Sequence, residues 1–252
     1  MPISPDFAVY LFDRTKIYME IRPVATFRSP FATKFGIPRQ SGLAEGLRGR
    51  IVLEPDYRDP AALRGLEAFD YLWLIWEFSG NRPAGTFRPT VRPPRLGGNE
   101  RIGVFASRSP FRPNALGLSC VRIERIEWEG PEGPVIHVLG ADLMDGTPVY
   151  DIKPYVRYAD SRPDARSGFV DATDWQPLEV HLPDDLPFSA AERETLRDIL
   201  AQDPRPPYHD DPEKRYGMSF AGHDIRFRVC GGVLTVTGCV PLPAGGPDRP
   251  DE

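Results

Sequence analysis

Apolar residues along this chain come in short runs rich in Val, Ile, Phe, Tyr and Trp, separated by Gly and Pro. Such residues fit a pleated, half-buried surface, so the pattern predicts strands. The runs place strands at 24–27, 50–53, 71–78, 103–106, 118–127 and 135–143. In VRIERIEW, Val121, Ile123, Ile126 and Trp128 alternate with polar residues, with one slip of phase at Arg125 that marks a β-bulge. The Gly/Pro turn at 129–133 makes 118–143 a hairpin, and 60–69 reads as a short helix carrying Leu63 and Leu66. No regular alternation of strands with helices occurs here, so an antiparallel β-barrel is predicted over a doubly wound sheet.

A second unit follows Asp160. Residues 161–187 are rich in Pro and Asp and read as a connector. Ser189 and Glu192 form a capping box that starts a helix running to about Gln202, with Leu196, Ile199 and Leu200 as its buried stripe. Pro204, Pro206 and Pro207 end it. Two alternating stretches, 225–230 and 233–240, flank Gly231-Gly232, a hairpin signal. The expected organisation is an N-terminal extension (1–21), a β-barrel domain (22–160), the connector (161–187), a small α+β C-terminal unit (188–243) and a disordered tail (244–252). The fold class is thus mainly β, without a Rossmann sheet.

Composition narrows the function classes. No apolar run approaches the roughly 18 residues of a membrane span, and the N-terminus lacks a secretory pattern, so a cytoplasmic protein is expected. Cys120, Cys230 and Cys239 are odd in number and far apart, and the four histidines (His137, His181, His209, His223) are scattered. Neither a disulfide framework nor a metal site is expected. The net charge of -5 hides an asymmetry: residues 22–125 hold 17 Arg/Lys against 9 Asp/Glu, the remainder 14 against 27. The total argues weakly against nucleic acid, while the basic part suits an anionic partner, and equally a solvated arginine-rich surface.

Three constellations carry candidate chemistry. Pro38-Arg39-Gln40 sets a guanidinium and an amide side by side after a rigid proline. The stretch 92–119, with Arg88 just upstream, holds Arg92, Arg95, Arg101, Arg108 and Arg112 among Pro and Gly, a shaped loop presenting forks to planar anions. Its predicted strand at 103–106 delivers Ser107, Arg108, Ser109, Phe111 and Arg112 to one place. Lastly, Asp142, Asp145, Asp151 and Lys153 crowd what reads as a short loop, where carboxylates suit a ribose diol or an amine, or simply turn chemistry. No glycine-rich nucleotide fingerprint sits at a strand-to-helix junction, and no His is placed to activate a serine.

Together these stretches carry a resemblance. IPRQSGL, RGLEAFDYLWLIW, RPTVRPPRLGG, IGVFASRSPFRPNALGLS, DLMDGTPVYDIKPYVRYADS and LAQDPRPPY resemble, in order, the TrmO-type (TsaA-like) tRNA methyltransferases. The likeness spans about 22–160 and again about 199–239. It implies a small antiparallel β-barrel that binds S-adenosylmethionine. The implied reaction is methylation of N6 of N6-threonylcarbamoyladenosine, 3′ of the tRNA anticodon at position 37, by a homodimer with the cofactor near the subunit interface. The implied cofactor-binding residues are Pro38, Arg39, Gln40, Phe78, Ser79, Arg108, Leu118, Ala141, Asp142 and Leu143. Ser79 stands where the family can carry His, and Ala115 where it commonly has Pro.

An already activated methyl needs mainly alignment, so proximity and orientation supply most of the effect. The acceptor nitrogen is a weak nucleophile, which makes a proton acceptor useful. Asp203 is the first candidate and Asp145 the second, with capping or pairing to Arg205 as the other role open to Asp203. Arg112, Lys153, Arg205 and Tyr208 are the expected substrate-binding residues. Tyr155 and Tyr158 are expected in the barrel core, as are Trp73 and Trp76. The alternatives are a non-catalytic RNA-binding barrel and a methyltransferase for another acceptor.

Overall fold

The computed structural model describes residues 19–81, 86–96, 100–206 and 211–243. Six strands close into an antiparallel barrel: β1 (Ala25–Arg28), β2 (Arg48–Leu53) and β3 (Tyr71–Glu77), followed, after the two-residue β4 (Thr90–Val91) and β5 (Ile102–Gly103), by β6 (Leu116–Glu127), β7 (Val135–Leu139) and β8 (Thr147–Pro154). Their order around the barrel is β1-β2-β7-β6-β3-β8. Alternation sets the interior: Leu72, Leu74 and Trp76 of β3 point inward with Ala25, Phe27, Ile51, Val121, Ile136, Val138 and Val149. Burying a leucine fully stabilises by about 1.5–3 kcal/mol, so Leu72 and Leu74, both at 0% exposure, anchor the barrel. Glycine makes room for the largest side chain, since a Cβ on Gly117 would lie 2.3 Å from the Trp76 ring.

The register between β6 and β7 shifts between Ile123 and Arg125, the bulge that the phase slip predicts. Other expectations need correction. Residues 103–106 are not one strand: β5 ends at Gly103, and Val104–Ala106 turn as a 3-10 helix closed by the Ser107 N–H on the Val104 carbonyl. The supposed short loop around Asp151 and Lys153 is strand β8, joining β1 to β3 across the barrel. Residues 140–143 continue past β7 as a loop, and 60–69 form two 3-10 turns, Pro60–Leu63 and Leu66–Ala68. Tyr158 is 88% exposed, outside any core. Tyr155 and Trp73 pack on the barrel's outer face with Tyr71 instead, with the Tyr155 ring 6.1 Å from Tyr71 and 6.2 Å from Trp73.

Beyond the barrel lie a one-turn helix α1 (Arg157–Asp160), strand β9 (Glu179–His181), helix α2 (Ala190–Ala201) and strands β10 (Tyr216–Phe220), β11 (His223–Cys230) and β12 (Val233–Pro241). The four strands form one sheet in the order β10-β11-β12-β9. The Ser189–Glu192 capping box is present, and Leu196, Ile199 and Leu200 are buried. Gly231 and Gly232 turn the β11–β12 hairpin with φ of 57° and 81°. The tail expected from residue 244 lies outside the described residues.

The chain between β1 and β2 ties the two parts together. Phe31, Ala44 and Leu47 share one apolar cluster with Leu196, Ile199, Leu200, Met218, Phe220 and Phe227, and Phe35 and Ile37 pack against it. The segment 31–47 therefore sits on the C-terminal sheet and helix while its ends are strands of the barrel.

Candidate active site

Segment 31–47 carries Pro38, Arg39 and Gln40 on this apolar floor. Pro38 is buried, which fixes where the next two side chains leave the backbone. The far side of the segment is pinned to the barrel rim: the Gly42 N–H donates to the Gly140 carbonyl at 2.8 Å, and the Cys120 N–H to Ser41 Oγ at 3.2 Å. From this frame Gln40 meets the arginine loop, where Arg108 Nη1 donates to Gln40 Oε1 at 2.5 Å. Arg39 turns the other way and donates through Nη2 to the main-chain carbonyls of Asp203 and Arg205, at 3.0 and 3.4 Å. An open cleft of about 250 Å³ beneath it is lined by Lys34, Ile37, Pro38, Arg39, Ile199 and Gln202.

Asp203 adopts a left-handed conformation, φ 49°, which Asp tolerates better than most residues. Both its oxygens accept from Arg205, from Nε at 2.8 Å and Nη2 at 2.9 Å, a forked pair. The pairing foreseen as its competing role is therefore present. Asp145 is occupied as well. One of its oxygens accepts the Ser29 N–H at 3.0 Å, the other lies 3.6 Å from Arg28 Nη1, and its own N–H donates to the Phe31 carbonyl. It braces the turn before β8.

A polar relay, buried at Trp76 and Ser119 and half-buried at Asp142, runs beside Arg108. Trp76 Nε1–H donates to Ser119 Oγ at 2.9 Å, and the Ser119 hydroxyl donates to Asp142 at 2.5 Å. Burial pushes the Asp142 carboxyl up to about 6, against the pull of the Ser119 hydroxyl, nearby main-chain N–H groups and the Arg108 charge. Ala141 and Leu143 on either side are buried in the barrel core, so this short stretch offers outward only main-chain groups and one carboxyl. Phe78 closes the same end of β3, its ring 4.4 Å from that of Trp76, with Ser79 exposed beside it.

The structure thus joins Gln40 to Arg108, places Asp142 within that arginine's field, and links Asp203 and Arg205 to them through Arg39. Other predicted residues stand apart. Leu118 lies on the barrel's outer face, 53% exposed. Lys153 pairs with Asp151 at 2.8 Å on the outer side of β8. Arg112 turns back on its own loop and donates to the Ser107 and Ser109 carbonyls. Tyr208 lies outside the described residues. Sequence reading missed the Trp76–Ser119–Asp142 relay. Its signal was a serine at an inward-facing position of β6, between Gly117 and Val121. It also missed the Tyr150 hydroxyl that donates to Glu77 at 2.6 Å and is pushed up to about 12 by that bond.

Comparison with known proteins finds two family matches, the tRNA-methyltransferase O N-terminal domain over residues 26–161 and the TrmO C-terminal domain over residues 179–242. A tRNA (adenine(37)-N6)-methyltransferase of Escherichia coli (strain K12) is 40% identical over 221 residues, covering 83% of this chain and 93% of that protein. A protein of the same name from Eikenella corrodens is 45% identical over 172 residues, covering 67% of this chain and 96% of its own. The crystal structure of TrmO from Pseudomonas aeruginosa superposes with a TM-score of 0.71 at 33% identity, covering 89% of this chain and 99% of that one.

Proposed function

The chain belongs to the tRNA-methyltransferase O family, and from that membership we propose which residues of the barrel rim perform its reaction. The protein is an S-adenosylmethionine-dependent tRNA (adenine(37)-N6)-methyltransferase. The observation that carries the assignment of residues is the Arg108–Gln40 bond with the half-buried Asp142 carboxyl beside it. A guanidinium, a carboxyl, exposed main-chain groups and the Phe78 ring together suit a zwitterionic amino acid joined to an aromatic base. The donor set therefore fits S-adenosylmethionine.

When bound, that cofactor supplies a methyl group on a sulfonium, already activated for transfer. The protein's own residues then have four tasks. Arg108, held in place by Gln40, binds the carboxylate end. Asp142, kept in line by the Ser119 hydroxyl, faces the ammonium. Phe78 and the main chain at 141–143 orient the base, with Pro38, Arg39 and Ser79 closing the rim. Arg205 receives an anionic group of the substrate, and Asp203 accepts the N6 proton on an oxygen that Arg205 releases when it turns to that anion. Arg112 holds the loop in shape, and Asp145 holds the turn.

The substrate is N6-threonylcarbamoyladenosine, whose threonyl carboxylate gives Arg205 a counter-ion. The enzyme works as a homodimer in the cytoplasm. The half-buried and exposed apolar residues of the outer face, Tyr71, Trp73, Ile75 and Leu118, support a subunit contact there, which would bring Leu118 and Lys153 close to a cofactor site. No helix among the described residues is long and apolar enough to cross a membrane. Nucleoside mass spectrometry of tRNA from cells with and without this protein tests the reading. Loss of methylated N6-threonylcarbamoyladenosine, with the unmethylated form retained, is expected. Unchanged nucleosides would overturn it.

A further inference from the structure

Three phenylalanines in the arginine loop or just upstream of it face solvent: Phe105 is 74% exposed, Phe87 60% and Phe111 55%. Leaving a Phe outside forfeits about 1.5–3 kcal/mol of burial, and here two of them gather. The Phe87 and Phe105 rings lie 6.4 Å apart between centroids, inclined by only 27°. Both are fixed from behind by backbone. Thr90 of β4 pairs with Gly103 of β5, the Val104 N–H donates to the Pro89 carbonyl at 2.9 Å, and the Ser107 hydroxyl donates to the Val104 carbonyl at 2.9 Å. Val104 is buried while its neighbour Phe105 points out from the 3-10 turn.

The surroundings are basic. Arg88, Arg92, Arg101 and Arg108 are all exposed, and between residues 86 and 119 the chain has six arginines and a single acidic residue, Glu100. A second copy meeting this surface about a two-fold axis would set arginine against arginine, which opposes a subunit contact here. A polyanion with unpaired bases satisfies both components at once, phosphates on guanidinium groups and a base on a phenyl face. Phe105 precedes Arg108 by three residues, a reach of at most roughly 10 Å, so such a base would lie next to the methylation site.

We propose that Phe105, with Phe87 beside it, is the stacking platform for an unpaired base of the tRNA anticodon loop adjoining the methylated adenosine. The proposal rests on the tRNA methylation described above. The platform holds the loop open on the protein while the flanking arginines take its phosphates.

The test uses the full chain and an anticodon stem-loop bearing 2-aminopurine beside the target adenosine. Phe105→Leu is expected to lower RNA affinity roughly 5- to 150-fold, the loss of about 1–3 kcal/mol of stacking at 1.4 kcal/mol per tenfold. It is expected to abolish most of the 2-aminopurine quenching and to leave the slope of log affinity against log salt unchanged, because no phosphate contact is removed. Phe105→Trp is expected to restore affinity and quenching. Affinity for S-adenosylmethionine and oligomeric state should match those of the wild type in both variants. Equal RNA affinity in Phe105→Leu, a shallower salt slope, or a shift of that variant to a smaller oligomer would overturn the platform. A wild-type protein that fails to methylate tRNA would instead overturn the functional reading beneath it.

Discussion

Arg108 donates to the Gln40 side-chain oxygen at 2.5 Å, and this single bond joins the arginine loop to the segment that rests on the C-terminal core. Gln40 in turn donates through its amide nitrogen to the Arg39 carbonyl, so the amide plane cannot turn without losing both bonds. The orientation of the Arg108 guanidinium is thus set from the opposite side of the site.

Arg108→Ala is expected to reduce methylation and cofactor affinity together, by roughly 10- to 150-fold or more, since a hydrogen bond to a charged group contributes about 1.5–3 kcal/mol. The group is exposed, so the thermal midpoint should stay near the wild-type value. Calorimetry with S-adenosylmethionine and a melting curve separate the two effects. Unchanged cofactor affinity would remove Arg108 from the cofactor site.

The Asp142 carboxyl, raised to about 6 by burial, gives two pH effects of known sign. Its folded value lies above the unfolded one. The folded chain therefore binds this proton more tightly, and the stability it contributes is present below about 4 and is lost as pH rises through about 6. Cofactor binding runs the other way. A carboxylate that faces an ammonium must be ionised, so affinity should fall as pH drops below about 6. Asp142→Asn is expected to flatten both profiles and to bind the cofactor weakly at every pH. A wild-type affinity that is flat from pH 5 to 8 would exclude this role.

Asp203→Asn keeps a residue that accepts the left-handed backbone, yet it removes the charge that pairs with Arg205. Cofactor affinity is expected to remain, while the single-turnover methylation rate falls roughly 100-fold or more. An unchanged single-turnover rate would mean that Asp203 only shapes the loop.

Gly36 and Gly42 offer a matched pair of probes. Both have positive φ, 90° and 83°, but a Cβ on Gly36 would lie 2.7 Å from the Met218 side chain, whereas one on Gly42 meets nothing within 4 Å. Gly42→Ala should cost only the conformational strain, about 1 kcal/mol, and Gly36→Ala about 1–3 kcal/mol in total. Thermal unfolding measures the difference. Equal midpoints for the two variants would show that the Met218 contact is readily rearranged.

The barrel was legible because its strands are short runs of β-branched and aromatic residues cut by Gly and Pro, as with YLWLIW at 71–76, whose inward face of Leu72, Leu74 and Trp76 only the structure shows. Strand β8 was not, because TPVYDIKP carries two prolines and a charged pair. The structure accommodates both. Val149 is where β8 passes from pairing with β1 to pairing with β3, and Pro148 sits beside that exchange. The run GVFA read as a strand because apolar residues without a visible period do not distinguish a strand from a 3-10 turn that buries Val104 and exposes Phe105. At the site, Arg39, Gln40 and Arg108 were visible as motif residues. What tethers them was not, since the Arg39 bond to the Asp203 carbonyl spans 164 residues and leaves no local pattern. Ser119 lay within reach of sequence reasoning as a lone hydroxyl among inward-facing positions.

Segment 31–47 has a consequence for anyone exchanging parts between relatives. Its ends belong to barrel strands, but its apolar side chains are complementary to α2 and the C-terminal sheet. A chimera cut at the chain boundary between barrel and C-terminal unit would place Phe31, Ala44 and Leu47 against a foreign surface and shift Gln40 beneath Arg108. Grafting that segment together with the C-terminal unit would keep the inherited contact intact, so the exchangeable piece of this enzyme is discontinuous in sequence.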